Sequence, residues 1–484
     1  MRWFGIPGYT EFRGLSTTYD ELDRIKTLTT RDGIEQFDYD GLITYRIDSA
    51  GSVSTTIRNT LGMIIVEDDP ASYVTYYRAA CGDPLFIVDP LGRIISIRYN
   101  ALGKPTYVND PDRGIESFRY NDFGELIVKV RSDGSVTLID HDDLGRLIGI
   151  RSPDGNAVFN WDHAEGKGIG RLSWADGPNG HGERRSYDSR GRLSSTDYLI
   201  KGDSEARQSY IFSYGYDDFS GRATRLTYPS TALSAGMSLE YIFDDHGIPI
   251  GVKDQATGSI LLWVVDMDAE GRPTKIAYGN GTTERRDYAP LSGRLAGVEI
   301  TCCVGKPSQK TLWKASFTWD SLGSIVTRTD SSRVRPSGKE RYVYDASQRL
   351  LEVWRQGTAN SPAESVQTKM GYDFSGNVTA NSNLSGMTDA YRYEQGRPHA
   401  VASISVQGSI QPWAFSYDAG GNQTTARGGT VIRYNSWAKP SHADIAGDSQ
   451  QLGISIDYEY GPSGHRVLKR VSKGHNHDLH AYCR

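Results

Sequence analysis

The sequence is poor in sulfur-containing residues. It has only 4 cysteines and 6 methionines among 484 residues. Four cysteines cannot build a disulfide framework in a chain of this length. The adjacent pair Cys302 and Cys303 would bridge only with strain, so we expect four free thiols.

Long apolar runs are also missing. The longest, Ile260 to Val265, has the length of one strand and is far too short to cross a bilayer. The N-terminal residues contain no apolar stretch of the kind found in secretory signal peptides. We therefore expect no membrane span and no classical export. Secretion by a specialised system, or a cytoplasmic location before release, remains open.

A charge surplus of one sign is absent as well. The 54 basic and 59 acidic side chains give a formal net charge of −5, with both signs mixed along the chain. This balance argues against a dedicated nucleic-acid-binding protein, which would carry a basic surplus.

The sequence also lacks recognisable catalytic motifs. A zinc-protease His-Glu-x-x-His, a nucleophile elbow Gly-x-Ser-x-Gly and a phosphate-binding Gly-x-x-x-x-Gly-Lys-Ser/Thr are all missing. A cluster near the C-terminus (His475, His477, His480 and Cys483) has the residue types of a zinc site, but its spacing matches no structural zinc motif. We predict no enzymatic activity, no cofactor and no metal site.

Glycine and tyrosine are plentiful, with 53 and 29 copies, and they recur in one pattern. An aromatic residue is followed by Asp or Asn, two variable residues and Gly. The copies that define the pattern best contain Tyr99 and Gly103, Tyr120 and Gly124, Tyr187, Asp188 and Gly191, Tyr372, Asp373 and Gly376, and Tyr417, Asp418 and Gly421. Repeats of this kind indicate a repeat architecture rather than several unrelated domains.

The residue order of the repeat predicts a strand, a turn and a second strand. The aromatic ring ends a strand, where we expect it to stack on its neighbour in the next unit. Asp or Asn closes the turn by accepting bonds from backbone N–H groups. Gly takes the positive φ that a bulged hairpin loop requires. One hairpin cannot bury its apolar face alone, so the units must pair into an antiparallel sheet.

The repeats resemble a known family. The runs from Tyr187 to Leu193 and from Tyr417 to Asn422 are similar to the YD repeats of Rhs proteins, of the C components of bacterial Tc toxins, of wall-associated proteins and of the animal teneurins. The likeness extends from Tyr19 to Lys469. The resemblance implies an all-β fold in which an antiparallel hairpin ribbon spirals into a hollow shell, here a partial one.

The resemblance also implies a function. In the family the shell encloses a C-terminal toxin or effector polypeptide, which an aspartyl autoprotease marked by Asp-Pro-x-Gly sequence cuts free in many bacterial members. The early Asp89-Pro90-Leu91-Gly92 is in register with the repeats, so we interpret it as a turn. We expect a structural shell segment without the autoprotease region and cargo. Its partners would be the effector and other shell or secretion components.

These considerations divide the chain into three parts. We predict an N-terminal extension over 1–18, a repeat shell over 19–469 and a disordered tail over 470–484. An alternative function remains open, in which the repeats form a cell-surface adhesion or carbohydrate-binding protein.

Overall fold

A computed structural model of the chain describes residues 15–203, 206–231, 234–332, 338–356, 363–384, 390–447, 452–473 and 476–481, the last segment by its backbone alone. Within this part the elements are strands and two single 3₁₀ turns, Pro178–Gly180 and Arg427–Gly429.

The strands of the first half are short and follow one another closely. They are β1 Ser16–Tyr19, β2 Ile25–Thr30, β3 Gly33–Asp40, β4 Ile43–Ile47, β5 Val53–Arg58, β6 Ile64–Asp69, β7 Ser72–Arg78, β8 Pro84–Val88, β9 Ile94–Tyr99, β10 Pro105–Asp110, β11 Gly114–Tyr120, β12 Leu126–Val130, β13 Val136–His141, β14 Leu147–Ser152, β15 Gly155–Trp161, β16 Leu172–Asp176, β17 Gly182–Tyr187, β18 Leu193–Lys201, β19 Arg207–Tyr216, β20 Ala223–Thr227 and β21 Ser238–Phe243.

The second half continues in the same way. Its strands are β22 Pro249–Asp254, β23 Ile260–Met267, β24 Pro273–Tyr278, β25 Thr282–Tyr288, β26 Leu295–Cys302, β27 Lys310–Trp319, β28 Ile325–Ser332, β29 Gly338–Tyr344, β30 Leu350–Arg355, β31 Ser365–Tyr372, β32 Val378–Asn381, β33 Tyr391–Glu394, β34 Arg397–Ile404, β35 Trp413–Ala414, β36 Ser416–Tyr417, β37 Gln423–Ala426, β38 Thr430–Tyr434, β39 Pro440–Ile445, β40 Ile454–Tyr460, β41 Arg466–Lys473 and β42 Asn476–Ala481.

The strands form antiparallel sheets in chain order. β1 to β32 belong to one 32-stranded sheet, β33 to β35 form a small sheet, and β36 to β42 form a seven-stranded sheet that we call the C-terminal sheet. The pairing of β18 with β19, from Ser195↔Ser213 to Lys201↔Arg207, is a long example. The predicted all-β, antiparallel hairpin ribbon is therefore confirmed.

The hairpins carry a bulge at the repeat aromatic. In β17 the register shifts between Ser186 and Tyr187, so that Tyr187 pairs with Leu193 across the turn. The same shift occurs at Tyr120, Tyr372 and Tyr417. The extra residue of a bulge increases the local twist of the hairpin, which keeps successive strands from lying flat.

The chain divides into two compact units, each assembled from separate stretches. Unit 1 comprises Met1–Ile94, Leu262–Tyr391 and Val406–Gly408. Unit 2 comprises Ile95–Leu261, Arg392–Ser405 and Ser409–Arg484. Buried apolar side chains are few. In unit 2 they cluster where Ile200 of β18 meets Val467 and Leu468 of β41.

Strand pairing continues past Lys469, into the segment predicted to be a disordered tail. β41 ends at Lys473 and pairs with β42, from Leu468↔Ala481 to Lys473↔Asn476. This pairing could not be predicted, because an edge strand can pair through its backbone without an apolar pattern. The expected N-terminal extension lies mostly outside the described residues, apart from 15–18, where β1 begins. No helix in the described ranges is long and apolar enough to cross a membrane.

Candidate functional site

Each repeat turn is closed by its Asp or Asn side chain. Oδ1 of Asp188 accepts the N–H groups of Arg190 and Arg192, both at 2.9 Å. Asp373 and Asp418 bind the same two positions of their own turns at 2.8–2.9 Å. These bonds satisfy backbone donors that the strand ladder leaves free at the turn.

The repeat glycines occupy the left-handed region. Their φ angles are +69° at Gly103, +78° at Gly124, +76° at Gly191, +83° at Gly376 and +77° at Gly421. An L-residue with a Cβ is strained there, which explains why the repeat places Gly at this position.

The repeat aromatic links one hairpin to the preceding one. Tyr187 is 8% exposed, and its hydroxyl donates to the carbonyl oxygen of Leu172 at 2.9 Å. The equivalent bonds are Tyr120 to Pro105, Tyr372 to Leu350 and Tyr417 to Val401 at 2.9–3.0 Å, and Trp161 to Leu147 and Trp319 to Leu295 through the indole N–H. Tyr99 ends β9 and pairs with Pro105 across its turn.

An arginine often follows the repeat residue that has a positive φ. Its guanidinium lies over the aromatic ring of the next repeat. Nε of Arg192 donates to Oδ2 of Asp188 at 2.6 Å, and the guanidinium lies 4.5 Å from the ring centre of Tyr216. Arg272 and Arg349 lie in the same way over Tyr288 and Tyr372, at 4.4 and 4.7 Å. At these tyrosines the structure shows a cation over one ring face, and the stacking of successive rings stays a prediction.

In unit 2, turns of the C-terminal sheet lie against turns of the first half. Ser436 donates its N–H to Oδ2 of Asp154 at 2.5 Å and accepts a bond from Nη1 of Arg131 at 3.1 Å. A Cβ on Gly177 would lie 2.7 Å from the backbone nitrogen of Pro462, so this approach requires glycine. We call this set of contacts the docking line.

A polar cluster around the buried side chain of His181 belongs to the docking line. His181 is 1% exposed, and its Nε2 lies 2.6 Å from Oε2 of Glu459. Nδ1 of His181 accepts the backbone N–H of Lys201 at 3.3 Å, which places the ring proton on Nε2. Arg470 binds the other oxygen of Glu459 and also Oδ1 of Asp203, the latter at 2.9 Å.

The cluster joins the turn before β17 to β40 of the C-terminal sheet. Burial opposes ionisation of Glu459, but hydrogen bonds from His181 and Arg470 outweigh it, so the pKa of this carboxyl is lowered. Both nitrogens of the imidazole are already engaged, so neither is free to act as a base toward a substrate.

A cavity of about 570 Å³ lies along the docking line in unit 2. Lys129 binds Glu116 at 2.9 Å, and Arg113 and Arg131 lie 4.0 Å from the same carboxylate. The cavity is also lined by Phe159, Trp437 and Lys439. The cationic side chains therefore outnumber the carboxylates on its wall.

Unit 1 contains its own contacts between early and late turns. Arg31 binds Glu270 at 2.9 Å and Arg294 binds Asp32 at 2.9 Å. These partners are far apart in sequence, 239 residues for the Arg31 pair and, within unit 2, 305 for Arg131 and Ser436. In each unit, segments that are more than two hundred residues apart in sequence therefore lie side by side.

Sequence reasoning missed these long-range contacts. It found the turn residues, but nothing in one sequence states which early turn meets which late turn. His181 and Glu459 stand outside the repeat pattern, and only their burial identifies them. Asp89-Pro90-Leu91-Gly92 is a repeat turn as predicted, because Asp89 Oδ1 accepts the N–H groups of Leu91 and Arg93 at 2.9 Å.

The side chains of the C-terminal cluster His475, His477, His480 and Cys483 lie outside the described residues. Among the residues that the structure describes, no group of three or more His, Cys, Asp or Glu side chains could hold a metal ion.

No protein-family model matches the sequence, and no curated protein matches it. Solved structures do match. The chain superposes on TcdB2-TccC3-TEV with a TM-score of 0.78 at 16% identity, over 97% of this chain and 26% of the other. It also matches TcdB2-TccC3 without its hypervariable C-terminal region, and a Photorhabdus luminescens Tc holotoxin pore with a TccC3 mutation. Those TM-scores are 0.75 and 0.74, at 15% identity over 96% of this chain and 26% of each match.

The chain spans about a quarter of the length of the TcdB2-TccC3 chains that it matches. Nearly all of it takes part in the superposition, at an identity that supports a statement about fold alone. These matches give the chain the fold of the Rhs/Tc-type toxin shell, as the resemblance of its repeats implied.

Proposed function

We propose that the chain is a structural, non-enzymatic segment of an Rhs/Tc-type toxin shell, and that this shell encloses a C-terminal effector polypeptide. The observation that carries the proposal is the superposition of 96–97% of the chain on TcdB2-TccC3 structures. One of those structures is TcdB2-TccC3 without its hypervariable C-terminal region, and a region of that kind is what a shell with exchangeable cargo would carry. We propose delivery by a specialised secretion system.

The docking line of unit 2 and the similar contacts within unit 1 support a containing role. Within each unit, late segments bind early turns through buried or charge-assisted contacts, such as Glu459 with His181 in unit 2 and Glu270 with Arg31 in unit 1. Contacts of this kind close the gap between two turn edges of a sheet. A wall that confines a polypeptide needs such closure, whereas a repeat surface for adhesion does not.

Protease protection tests the enclosing role. A labelled unfolded peptide is fused behind Arg484, and its cleavage by a nonspecific protease is compared with that of the free peptide. We expect the fused peptide to be cut several-fold more slowly while the chain stays intact. The control carries Asp154→Ala and His181→Ala, which remove contacts of the docking line and should restore fast cleavage. Equal cleavage of fused and free peptide would overturn enclosure and leave the fold assignment untouched.

A glycan array addresses the alternative of a surface-binding protein. Reproducible binding of the purified chain to one class of immobilised glycan, together with unprotected fused peptide, would favour carbohydrate binding over containment. The shell proposal expects no such binding.

A further inference from the structure

The cavity along the docking line of unit 2 has one wall made of consecutive strands. Lys129 of β12 pairs directly with Thr137 of β13, and Ile139 of β13 pairs with Ile150 of β14. Residues paired across a ladder, and residues two apart on one strand, lie on the same face of a sheet. Lys129, Thr137 and Ile150 therefore share one face, and all three line the cavity. The turns before β37, β39 and β41 of the C-terminal sheet form its rim.

Positive charge dominates this cavity. Among the described residues that line it, Glu116 is the one carboxylate, with Lys129 at 2.9 Å and Arg113 and Arg131 at 4.0 Å from it. Lys439 is a fourth cation of the lining, and its Nζ donates to a backbone carbonyl of the rim. Four cations and one carboxylate leave a formal surplus of three positive charges, in a chain whose net charge is −5. Like charges held together repel, so an anion bound among them lowers the electrostatic energy.

Two aspartates that contact the rim turns do not offset this surplus. Oδ2 of Asp154 accepts the N–H of Ser436, and Oδ1 of Asp418 accepts N–H groups of its own turn, at 2.5–2.9 Å. Neither aspartate lines the cavity. The guanidinium of Arg131, a residue that is 8% exposed, has a long ion-pair distance of 4.0 Å to Glu116. Buried charges are normally closely paired, so Arg131 has capacity for a further anionic partner.

Two rim glycines lie close to the cationic groups. Gly420 occupies the variable turn position at which another repeat turn has Phe123, and each donates its N–H to the residue that closes its turn. Gly420 has no positive φ, so the turn conformation does not require glycine there. A Cβ on Gly420 would lie 2.7 Å from Nη2 of Arg131, and one on Gly464 would lie 3.1 Å from Nζ of Lys439. Glycine at 420 therefore makes room for the guanidinium and places no side chain beside it.

The cavity also has an apolar wall. Leu147, Ile150, Phe159 and Trp437 line it together with the cations. A Cβ on Gly464 would lie 3.8 Å from Cε3 of Trp437, so the indole ring packs against the neighbouring turn. A volume of about 570 Å³ is within the usual range of small-molecule sites, which combine apolar and aromatic walls with a few charged groups. Cations beside aromatic rings favour an organic anion over a bare ion, which would leave the apolar wall in contact with water.

We propose that this cavity binds a small organic anion, a phosphate or carboxylate group carried on a flat apolar ring. The anionic group binds Arg113 and Arg131, because a planar guanidinium matches either oxyanion through two parallel N–H···O bonds. The ring packs against Phe159 and Trp437. The inference concerns a site in the wall and does not require an enclosed effector, so it can fail while the proposed function stands.

Titration calorimetry of the full chain at neutral pH tests the binding. The probes are AMP and naphthoate, with adenosine and naphthol as their neutral counterparts. We expect at least one of the two anions to bind several-fold more tightly than its neutral counterpart, and added salt to weaken that binding. Tighter binding of AMP would identify a phosphate site, and tighter binding of naphthoate a carboxylate site. Equal binding of each anion and its neutral counterpart, or no binding of either anion, would overturn the proposal.

Two variants test the location, with their fold verified by circular dichroism. Arg113→Gln removes a cation whose side chain is 67% exposed, so it should weaken anion binding several-fold and leave the fold intact. Glu116→Gln removes the carboxylate of the lining, so it should tighten anion binding several-fold, a gain that misfolding cannot produce. Arg433→Gln is the matched control, since Arg433 is also 67% exposed, lies 3.9 Å from Asp444 and does not line the cavity.

The control variant should bind the anion as wild type does. Unchanged binding in both cavity variants, weaker binding in Glu116→Gln, or an equal loss in Arg113→Gln and Arg433→Gln would each show that the anion does not bind in this cavity.

Discussion

At the residue scale, the repeat aromatic has two separate tasks. Its ring ends a strand at a bulge, and its polar tip binds a carbonyl of the preceding hairpin, as Tyr187 does with Leu172. The first task could be predicted from the sequence. The second could not, because the acceptor is a backbone atom that any residue type supplies. Burial raises the pKa of several of these tyrosines, Tyr120 and Tyr372 among them, so they remain neutral donors.

Removing one hydroxyl tests this link. Tyr187→Phe keeps the ring and leaves the carbonyl of Leu172 without its donor. We expect the free energy of unfolding to fall by about 0.5–1.5 kcal/mol, the usual contribution of one hydrogen bond. Urea denaturation measures it. Tyr73→Phe is the control, since Tyr73 is 47% exposed and stands outside the repeat, and its stability should match wild type. Equal losses in both variants would contradict a specific role of the hydroxyl.

A second prediction follows from the positive φ of the repeat glycine. Gly376 has φ +83° with no atom within 4 Å of a built Cβ, so Gly376→Ala introduces backbone strain without a clash. We expect a loss of about 1–2 kcal/mol, measured by thermal or urea unfolding. Gly396 also has open space but no positive φ, so Gly396→Ala should be neutral or slightly stabilising. Similar effects of the two substitutions would show that φ is not what selects glycine.

At the element scale, each repeat turn is stabilised by hydrogen bonds to its Asp or Asn and often by an ion pair with the following arginine. Burial opposes ionisation of Asp188, and bonds from the backbone and side chain of Arg192 outweigh it, so the pKa of Asp188 is lowered. The carboxyl pKa is lowered in the same way at Asp142, Asp268 and Asp345. Hairpin formation and carboxylate ionisation are therefore coupled at many turns.

This coupling predicts acid sensitivity with a defined sign. A lowered pKa in the folded state stabilises the protein above the unfolded pKa of about 3.9, and the contribution is lost as the pH falls through the lower, folded value. Asp188→Asn should therefore be less stable than wild type near neutral pH, and the difference should vanish in acid. Urea unfolding across a pH series measures it. The control is Asp122→Asn, at the variable position after the turn-closing Asn121 of another repeat turn, and its stability near neutral pH should stay close to that of wild type.

Hairpin elements are the level at which the sequence was most informative. Aromatic, Asp and Gly at fixed spacing specify a bulged turn locally, and Tyr187, Asp188 and Gly191 form one as expected. The arginine over the ring was missed, because its partner Tyr216 belongs to the next hairpin. β42 was missed because an edge strand needs no apolar pattern to pair with β41.

At the scale of the whole molecule, stability depends on contacts that the repeat does not specify. Buried apolar clusters are small, and the one in unit 2 joins Ile200 to Val467 and Leu468 beside His181 and Glu459. A sheet built from consecutive hairpins has mostly local contacts, so its long-range order relies on such points. These long-range contacts could not be predicted, because nothing in the sequence indicates which two residues, more than two hundred positions apart, will meet.

The contact between the buried His181 and the partly buried Glu459 should therefore control how firmly the C-terminal sheet is held in unit 2. His181→Phe keeps an aromatic ring in place but removes the donor to Glu459 and the acceptor for Lys201. We expect a loss of about 1.5–3 kcal/mol, the range for a hydrogen bond to a charged group. Hydrogen exchange should quicken in β40 and β41 and change little in β13 and β14, which pair with their own neighbours.

The matched control is His246→Phe, because the side chain of His246 is 86% exposed and lies 4.0 Å from its nearest carboxylate, Asp244.

In the wild type, acid should have the same effect as the His181 substitution. Because the pKa of Glu459 is lowered in the folded state, its contribution to stability is complete above the unfolded carboxyl pKa. That contribution disappears as the pH falls through the folded value. Exchange in β40 that is equally slow in wild type and His181→Phe would mean that apolar packing of Val467 and Leu468 holds the sheet by itself. Faster exchange in the variant at neutral pH, converging with wild type in acid, would instead assign the holding force to the ionised pair.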